Sequence, residues 1–351
     1  MHRVLVTAVG GNIGQGVVKA LRSGARDYFI VGTDMEPRSA GFSLVDRAYL
    51  TPSAGADPFV ARLIDIVQAE RIEAMFVCSP AELASFSEAR ARLDAATGAA
   101  LLLNPDDVIR IGRDKLETAR FLATHGFPSP ETALASNREA VDQLIDRWGF
   151  PVIVKPRAGW TSANVFRLHS RQQIDAACVL VPDLVVQRYL PDAAAEYTAG
   201  IAGSARARTF AWIVLRRELS QGTTYRTELA QDPAIGAQIV DMAQALGVEG
   251  PCNFQFRIVD GRPFVFEINP RFSGTSGIRY LYGFNDPEMV FEHARLGEPI
   301  RQPAVRPAVV LRYWNEVRLP GATFASAGVE SAAAGRQIVL PPPGDHGVPG
   351  S

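Results

Sequence analysis

The sequence predicts an α/β fold in which a parallel-sheet unit is followed by a larger part of the α+β type. Near the start of the chain, buried β-rich runs alternate with helical stretches, as in parallel strands joined by helices. These runs are Arg3–Val9, Tyr28–Thr33, Ala74–Cys78 and Ala100–Leu103. Further along, Cys252–Val259 and Pro263–Ile268 flank Asp260–Gly261, a pair that favours a hairpin turn. The 351 residues suffice for two or three domains of ordinary size.

Composition and charge disfavour several classes of protein. The net charge of −1 argues against nucleic acid or an anionic membrane as the main partner. Every apolar run falls short of the roughly 20 residues that span a bilayer. The first run, Met1–Ala8, gives way at once to a polar, glycine-rich stretch, unlike a signal peptide. The three cysteines are scattered and odd in number, as in a reducing compartment. We therefore expect a cytoplasmic protein.

The glycine-rich stretch Gly10–Gly16 lies between the first strand and a helix, and the second strand ends at Asp34. Strand, glycine turn, helix, strand and acid together outline a dinucleotide-binding unit, in which the acid holds a ribose. The other interpretation is that the glycines only let the helix pack closely against the sheet. We favour close packing, because a glycine turn alone is a weak signal.

The predicted second strand of the hairpin carries three polar residues at alternate positions. Because side chains alternate faces along a strand, Glu267 and Asn269 are expected to point the same way, with Phe266 and Ile268 in the core. Arg271 follows at the end of the strand. Carboxylate and amide oxygens suit Mg²⁺, and a guanidinium grips phosphate oxygens. The alternative is a polar strand face with an arginine ion pair.

A second signal is the run Phe150–Pro156, FPVIVKP, which places Lys155 inside an apolar strand. An unpaired buried ammonium is costly, so Lys155 implies an anionic partner. That partner is either a ligand or an internal carboxylate.

The motifs EINPRFSG and FPVIVKP resemble those of the ATP-grasp superfamily, as in the large subunit of carbamoyl-phosphate synthase. The resemblance covers the chain to about residue 318. It implies a Rossmann-like pre-ATP-grasp domain over residues 1–104 and a two-lobed ATP-grasp domain over residues 105–318. Within the latter we expect a smaller lid lobe over about 125–190 and a larger catalytic lobe over about 191–318. Residues 319–351 are rich in Ala, Gly and Pro and are expected to form a tail.

The resemblance also assigns residues to ATP. Lys115 and Lys155 are expected at the phosphates, Ser162 in a loop over them, and Glu196 at the ribose. The hinge beside adenine is expected at Gln187, Arg188, Tyr189 and Leu190. The chain departs from the family pattern twice: only Gly159 remains in the loop over residues 157–164, and Arg188 stands where a glutamate is usual.

Glu267, Asn269 and Gln255 are the metal ligands that the resemblance implies, with Mg²⁺ or Mn²⁺ as the ion. Gln255 shares a face with Glu267 only if the two strands pair in the correct register. A two-residue turn would pair Gln255 with Phe266, whereas a three-residue loop, Asp260 to Arg262, would pair it with Glu267. We predict the three-residue loop.

Further basic residues are candidates for the substrate. Arg216, Arg217 and Arg226 cluster in a stretch that is either a solvated basic loop or a carboxylate-binding site. Arg271 and Ser276 complete the expected substrate set. Arg271, Lys155 and Lys115 are expected to be the catalytic residues, because they supply positive charge to a transferring phosphoryl group.

The activity that the resemblance implies is that of a carboxylate–amine ligase, which forms an amide through an acyl phosphate and releases ADP and phosphate. The expected substrates are amino-acid-like, and a homodimer is possible. Three alternatives stay open: phosphorylation of bicarbonate or carbamate, an NAD-dependent oxidoreductase that uses Gly10–Gly16 and Asp34, and a non-catalytic nucleotide-binding module.

Overall fold

The computed structural model describes residues 1–159, 164–191 and 195–318. Its amino-terminal unit is a five-stranded parallel sheet with strand order β3-β2-β1-β4-β5. The strands are β1 (His2–Val6), β2 (Tyr28–Asp34), β3 (Arg47–Leu50), β4 (Ala74–Phe76) and β5 (Ala100–Leu102). The helices between them are α1 (Asn12–Arg22), α2 (Pro58–Glu70), α3 (Glu82–Glu88) and α4 (Arg90–Thr97). The alternation of buried strands and helices therefore produces the parallel α/β unit that the sequence predicted.

The glycines of the first turn are explained by close packing. A side chain on Gly14 would collide with the carbonyl oxygen of Ala8, where β1 leads into α1. A Cβ on Gly16 would lie 2.9 Å from the backbone nitrogen of Gly277, in a short helix of the carboxyl-terminal part. Glycine at these positions lets helix α1 approach both its own sheet and the rest of the molecule.

A smaller antiparallel sheet follows the parallel unit, with strand order β6-β9-β7-β8. Its strands are β6 (Thr132–Leu134), β7 (Val152–Pro156), β8 (Phe166–Leu168) and β9 (Leu184–Arg188). The helices of this region are α5 (Asp106–Arg113), α6 (Lys115–Thr124), α7 (Arg138–Trp148) and α8 (Arg171–Leu180). One face of this sheet packs against α7 and α8 to form a separate apolar core, which leaves the other face open.

The third sheet is antiparallel and six-stranded, with order β14-β13-β10-β11-β12-β15. Its strands are β10 (Glu196–Ser204), β11 (Thr209–Ser220), β12 (Thr223–Leu229), β13 (Glu249–Val259), β14 (Arg262–Asn269) and β15 (Val309–Leu311). The helices are α9 (Pro233–Leu246), α10 (Ser276–Arg279) and α11 (Asp286–Leu296). An apolar core shared with the parallel sheet joins the two parts, and the rings of Phe76 and Phe272 meet there at 5.5 Å.

The β13–β14 hairpin has the predicted register at the site, but the predicted loop is wrong. Gln255 pairs with Glu267, as expected, while Val259 pairs with Arg262. The turn therefore contains two residues, both with positive φ, which is the conformation that an Asp-Gly turn favours. A β-bulge between Gln255 and Phe256 changes the register, and Phe266 is the extra residue of the bulge.

The bulge also overturns the prediction that Phe266 lies in the core. Val265 and Ile268 are buried in the core, whereas Phe266 is half-buried and lines a cavity together with Glu267. Within the described ranges, no helix is both long enough and apolar enough to cross a membrane. The predicted tail lies outside the described residues.

Candidate nucleotide and substrate site

A cavity of about 1070 Å³ lies between the smaller sheet, the six-stranded sheet and the parallel unit. Among the residues described, seven basic side chains line it and two acidic ones, Glu196 and Glu267. Such an excess of positive charge favours anionic ligands. The cavity brings together most of the predicted site residues: Lys115, Lys155, Gln187, Arg188, Tyr189, Leu190, Glu196, Arg217, Gln255, Glu267, Asn269 and Arg271.

Lys155 is the most deeply buried amine of the cavity, with 6% of its surface exposed. Its Nζ donates a hydrogen bond to Gln187 Oε1 at 2.9 Å and lies 5.5 Å from the ring centroid of Phe266. Burial lowers the pKa of Lys155 to about 8, although the nearby Glu267 carboxylate acts to raise it. Within the described ranges, no carboxylate lies at ion-pair distance. The alternative of an internal salt bridge is therefore wrong, and the ammonium faces the cavity.

The strand β9 holds Lys155 in place and continues into the predicted hinge. The Gln187 amide donates to Thr132 Oγ1 at 2.8 Å, which turns its carbonyl oxygen toward Lys155. The Arg188 guanidinium lies 3.5 Å over the ring of Trp148, so its charge is directed at an aromatic face. The Leu190 side chain is buried. The four residues of the predicted hinge therefore line the cavity beside Lys155.

Lys115 begins helix α6, and its Nζ donates to the carbonyl of Gly159 at 3.0 Å. Burial lowers the pKa of Lys115, and Glu267 partly offsets this. An ion pair between Asp114 and Arg157 fastens the same turn to the end of β7. The predicted loop residue Ser162 lies outside the described residues.

Glu267, Asn269 and Arg271 form a connected row along the end of β14. The Asn269 amide donates to Glu267 Oε1 at 3.0 Å, and Arg271 Nη2 donates to Asn269 Oδ1 at 2.9 Å. Arg271 also donates to the carbonyl of Phe272 at 2.8 Å. Burial lowers the pKa of Arg271 to about 10, so the guanidinium stays charged at neutral pH. The second oxygen of Glu267 accepts no hydrogen bond from the residues described.

The oxygen donors of this row fit Mg²⁺ chemically, since Mg²⁺ takes one or two protein oxygens and completes its octahedron with phosphates and water. Glu267 and Asn269 are the suitable pair. Both amides of the predicted ligand set already accept from a guanidinium, Gln255 Oε1 from Arg217 at 2.8 Å and Asn269 Oδ1 from Arg271 at 2.9 Å, so either would use its second lone pair for the ion. Asn269 differs in that its amide also contacts the Glu267 carboxylate directly, at 3.0 Å. Within the described ranges, no three His, Cys, Asp or Glu residues cluster closely enough to hold a metal ion by themselves.

The predicted substrate arginines separate into one inside the cavity and two outside. Arg217 is 8% exposed and contacts Glu196 and Gln255. Arg216 and Arg226 are about half exposed and pair with Glu228 and Glu218. The stretch is a pair of strands and not a loop, so side-chain alternation on β11 turns Arg216 away from Arg217. The prediction that Arg216 and Arg226 bind substrate is wrong on this geometry.

The predicted substrate role of Ser276 also disagrees with its position in the structure. Its side chain is fully buried, and its hydroxyl donates to Asp286 at 2.8 Å. The same carboxylate forms a buried ion pair with Arg279 at 3.0 Å. This network holds α10 in place and leaves Ser276 no access to the cavity.

Several cavity residues were missed by the sequence analysis. Arg257 donates to the carbonyl of Pro191 at 2.8 Å, and Phe266 lines the wall below Lys155. Asn12 and Ser79 come from the parallel unit, which carried no signal that it reaches the site. Arg312 follows the apolar run of β15, and a basic residue in an apolar strand is the same signal that identified Lys155.

The architecture is a parallel α/β unit followed by two antiparallel sheets with a cavity between them. This architecture defines a class of nucleotide-binding folds. A family model described as ATP-grasp in the biosynthetic pathway with Ter operon matches residues 180–317. Another, described as a RimK-like ATP-grasp domain, matches residues 112–198. The chain belongs to the ATP-grasp superfamily, and the resemblance inferred from its motifs is confirmed.

The arginine-specific large chain of carbamoyl phosphate synthase from Geobacillus stearothermophilus is 26% identical over 377 residues. The match covers 97% of this chain and 34% of that relative. A second such large chain, from Archaeoglobus fulgidus, is 25% identical over 298 residues, covering 78% of this chain and 27% of that relative. The chain thus spans about a quarter to a third of the length of these curated relatives.

Two solved structures share the fold at low sequence identity. The biotin carboxylase domain dimer of the Hydrogenobacter thermophilus 2-oxoglutarate carboxylase, in complex with MgADP, ADP and bicarbonate, is 16% identical with a TM-score of 0.71. That match covers 92% of this chain and 80% of that chain. The L-amino acid ligase from Bacillus licheniformis is 16% identical with a TM-score of 0.64, covering 84% of this chain and 74% of that one. The predicted fold class is confirmed.

Proposed function

We propose that the chain is an ATP-dependent ligase that joins a carboxylate to an amine through an acyl phosphate. The observation that supports this most is that one cavity holds both Lys155, which has no carboxylate partner in the described part of the chain, and the row Glu267, Asn269 and Arg271. A buried cation beside carboxylate and amide oxygens is what binding of a metal–phosphate group requires.

Each step of the proposed reaction takes place between substrates. A carboxylate oxygen attacks the γ-phosphorus of ATP, and ADP leaves; the amine then attacks the acyl carbon, and phosphate leaves. Lys155, Lys115 and Arg271 neutralise charge on the transferring phosphoryl group. Glu267 and Asn269 would hold Mg²⁺, which supplies Lewis-acid charge neutralisation when bound. No nucleophilic side chain is needed, and the protein contributes position and charge.

The substrates that we propose are amino-acid-like, with Arg217 near the acid. The fold that the chain shares with a structure named as an L-amino acid ligase supports this. We also propose a homodimer and a cytoplasmic location. Residues 1–104 and 105–318 are proposed as the two domains, and the junction falls between β5 and α5.

Phosphorylation of bicarbonate or carbamate is a second candidate. It is supported by the matched carbamoyl phosphate synthase chains and by the bicarbonate in the carboxylase structure. The NAD alternative is disfavoured by Asp34, whose carboxylate accepts the backbone N–H groups of Gly10 and Glu36 at 2.7 and 2.9 Å. Each oxygen of Asp34 therefore already has a backbone partner, which accounts for the acid without a ribose.

A screen of ADP release tests the proposal. Amino acids would be crossed with amines, and bicarbonate alone would form a separate arm. We expect ADP release only when an acid and an amine are both present, with Mg²⁺. Release with bicarbonate alone would favour the second candidate. ATP binding without release in any arm would contradict both and favour the non-catalytic module.

A further inference from the structure

The cavity continues past Arg271 to a distal end that none of the roles above uses. Its walls come from the parallel unit, from the loop after Arg271 and from the residue that follows β15. We call this end the distal subsite and define it by Asn12, Ser273, Thr275 and Arg312.

Arg312 is the charged group of the distal subsite. Its Nη2 donates to the carbonyl oxygen of Gly274. Its Nη1 is buried and has no hydrogen-bond partner in the described part of the chain. No carboxylate of the described ranges lies at ion-pair distance, and burial lowers the pKa of the guanidinium. A desolvated guanidinium with an unused donor is costly unless an anion meets it.

The acidic residues that line the described part of the cavity do not neutralise the charge of Arg312. Both acids of the cavity belong to other parts of the wall: Glu196 pairs with Arg217, and Glu267 bonds to Asn269. Lys19 is close enough that the positive charge of Arg312, after burial, lowers the pKa of its amine. The distal subsite is therefore positive, with no acid of its own.

The spacing between Arg271 and Arg312 limits the size of an anion that could use both. Arg271 donates to the carbonyl of Phe272, and Arg312 donates to the carbonyl of Gly274, two residues along the same loop. Two residues of extended chain span at most about 7 Å. Each guanidinium therefore lies at hydrogen-bond distance from one of two carbonyls that are within about 7 Å of each other, a separation that one molecule with two anionic groups can bridge. The hydroxyls of Ser273 and Thr275, which bond to each other at 2.6 Å, belong to the same loop.

We propose that the distal subsite binds a second anionic group of the acid substrate, so that the substrate is a dianionic acid. This inference rests on the proposed function, in which the reacting carboxylate lies near Arg271. The second group is a carboxylate or a phosphate ester, since a guanidinium donates equally well to both.

Titration calorimetry of the full chain, with Mg²⁺ and a non-hydrolysable ATP analogue, tests the proposal. Two matched pairs of probes differ only in the second charge: glutarate with glutaramate, and 3-phosphoglycerate with glycerate. We expect the dianion of at least one pair to bind at least about tenfold more tightly than its partner, as a charge-assisted contact implies. The pair that shows the preference identifies the second group.

Arg312→Gln should remove that preference and leave the affinity for the ATP analogue within about twofold, a change below about 0.5 kcal/mol. Arg226→Gln is the matched control, because Arg226 pairs with Leu311 on the neighbouring strand but is exposed and lies outside the cavity lining. Arg312→Lys keeps the charge and should retain part of the preference. Thermal unfolding of each variant checks that it folds.

Equal binding of both members of each pair, or no binding of either dianion, would overturn the inference. So would a preference that survives Arg312→Gln. The proposed function fails separately, through absence of ADP release in the screen of acids and amines, so the two failures are distinguishable.

Discussion

Two regions of this molecule look like nucleotide sites in the sequence, the glycine turn that leads to Asp34 and the apolar strand that carries Lys155. In the structure their polar groups differ in one respect. Both oxygens of Asp34 accept backbone N–H groups, whereas Lys155 has an amide oxygen and a carbonyl as its only hydrogen-bond partners among the described residues. The Asp34 carboxylate finds its hydrogen-bond partners within the fold. A buried ammonium that has no carboxylate partner is costly unless it binds an anionic ligand.

The largest effect is expected from Arg271, which lines the same cavity as Lys155 and which we propose to act on the transferring phosphoryl group. Arg271→Met removes a buried positive charge and the donor to Asn269. ADP release with the acid and amine found by the screen should fall by about 100-fold or more, as for other groups that stabilise charge in a transition state. Arg216→Met, at an exposed position paired with Glu228, should change the rate little. Near-normal release by the Arg271 variant would contradict its role.

Lys155→Met tests whether the buried ammonium serves the nucleotide. ATP affinity should fall at least about tenfold, which corresponds to the roughly 1.5–3 kcal/mol of a charge-assisted contact. Titration calorimetry measures this directly. The substitution also removes an unpaired buried charge, so the variant should unfold at the same temperature as the wild type or a higher one. Unchanged ATP affinity would show that Lys155 does not bind the nucleotide, and the strand that carries it would then not differ from the glycine turn in function.

The pH dependence of ATP binding sharpens the same point. The pKa of Lys155 is lowered to about 8 in the free protein, so the amine is charged below pH 8 and increasingly neutral above it. If ATP binds the charged form, its affinity should be nearly constant below about pH 7 and should fall about tenfold between pH 7 and pH 9. Binding above pH 8 should take up a proton, which calorimetry in buffers of different ionisation enthalpy detects. In Lys155→Met this slope should disappear, and a slope that remains belongs to another group.

The smallest effect is expected in the other region. Asp34→Asn keeps the shape of the side chain but weakens its bonds to the N–H groups of Gly10 and Glu36. We expect a loss of about 1 kcal/mol in the free energy of unfolding, measured by urea denaturation, with ATP affinity unchanged within about twofold. A large loss of ATP affinity would show that the glycine turn takes part in binding.

Local patterns predicted the positions of the main site residues. Alternation along β14 correctly placed Glu267 and Asn269 on one face, and the cost of burying an amine identified Lys155. Alternation along β11 also separates Arg216 from Arg217, but the sequence leaves open whether these arginines lie in a solvated basic loop or in a carboxylate-binding site, because the basic residues hide the continuation of the strand to Ser220. The predicted pairing of Gln255 with Glu267 is correct, but it results from a bulge at Phe266 and not from a three-residue loop. Such a bulge has no distinctive sequence signal.

Contacts between distant segments could not be predicted from such patterns. Asn12 and Arg312 are 300 residues apart in the chain, and they line the same cavity only because the parallel sheet shares a core with the larger sheet. The hydrogen-bond partner of Gln255 could not be predicted for the same reason. Gln255 meets Arg217 because of the strand order β13-β10-β11, which cannot be read from the sequence of one hairpin.

The bulge at Phe266 has a consequence for protein engineering. It separates the tip of the β13–β14 hairpin from the part that carries Glu267, because the change of register is made between them. The tip is exposed, and a side chain on Gly261 would meet nothing within 4 Å. A peptide tag or a fluorescent reporter inserted between Asp260 and Gly261 would therefore leave the pairing of Gln255 with Glu267 intact, which makes the tip an attachment point for labelling the working enzyme.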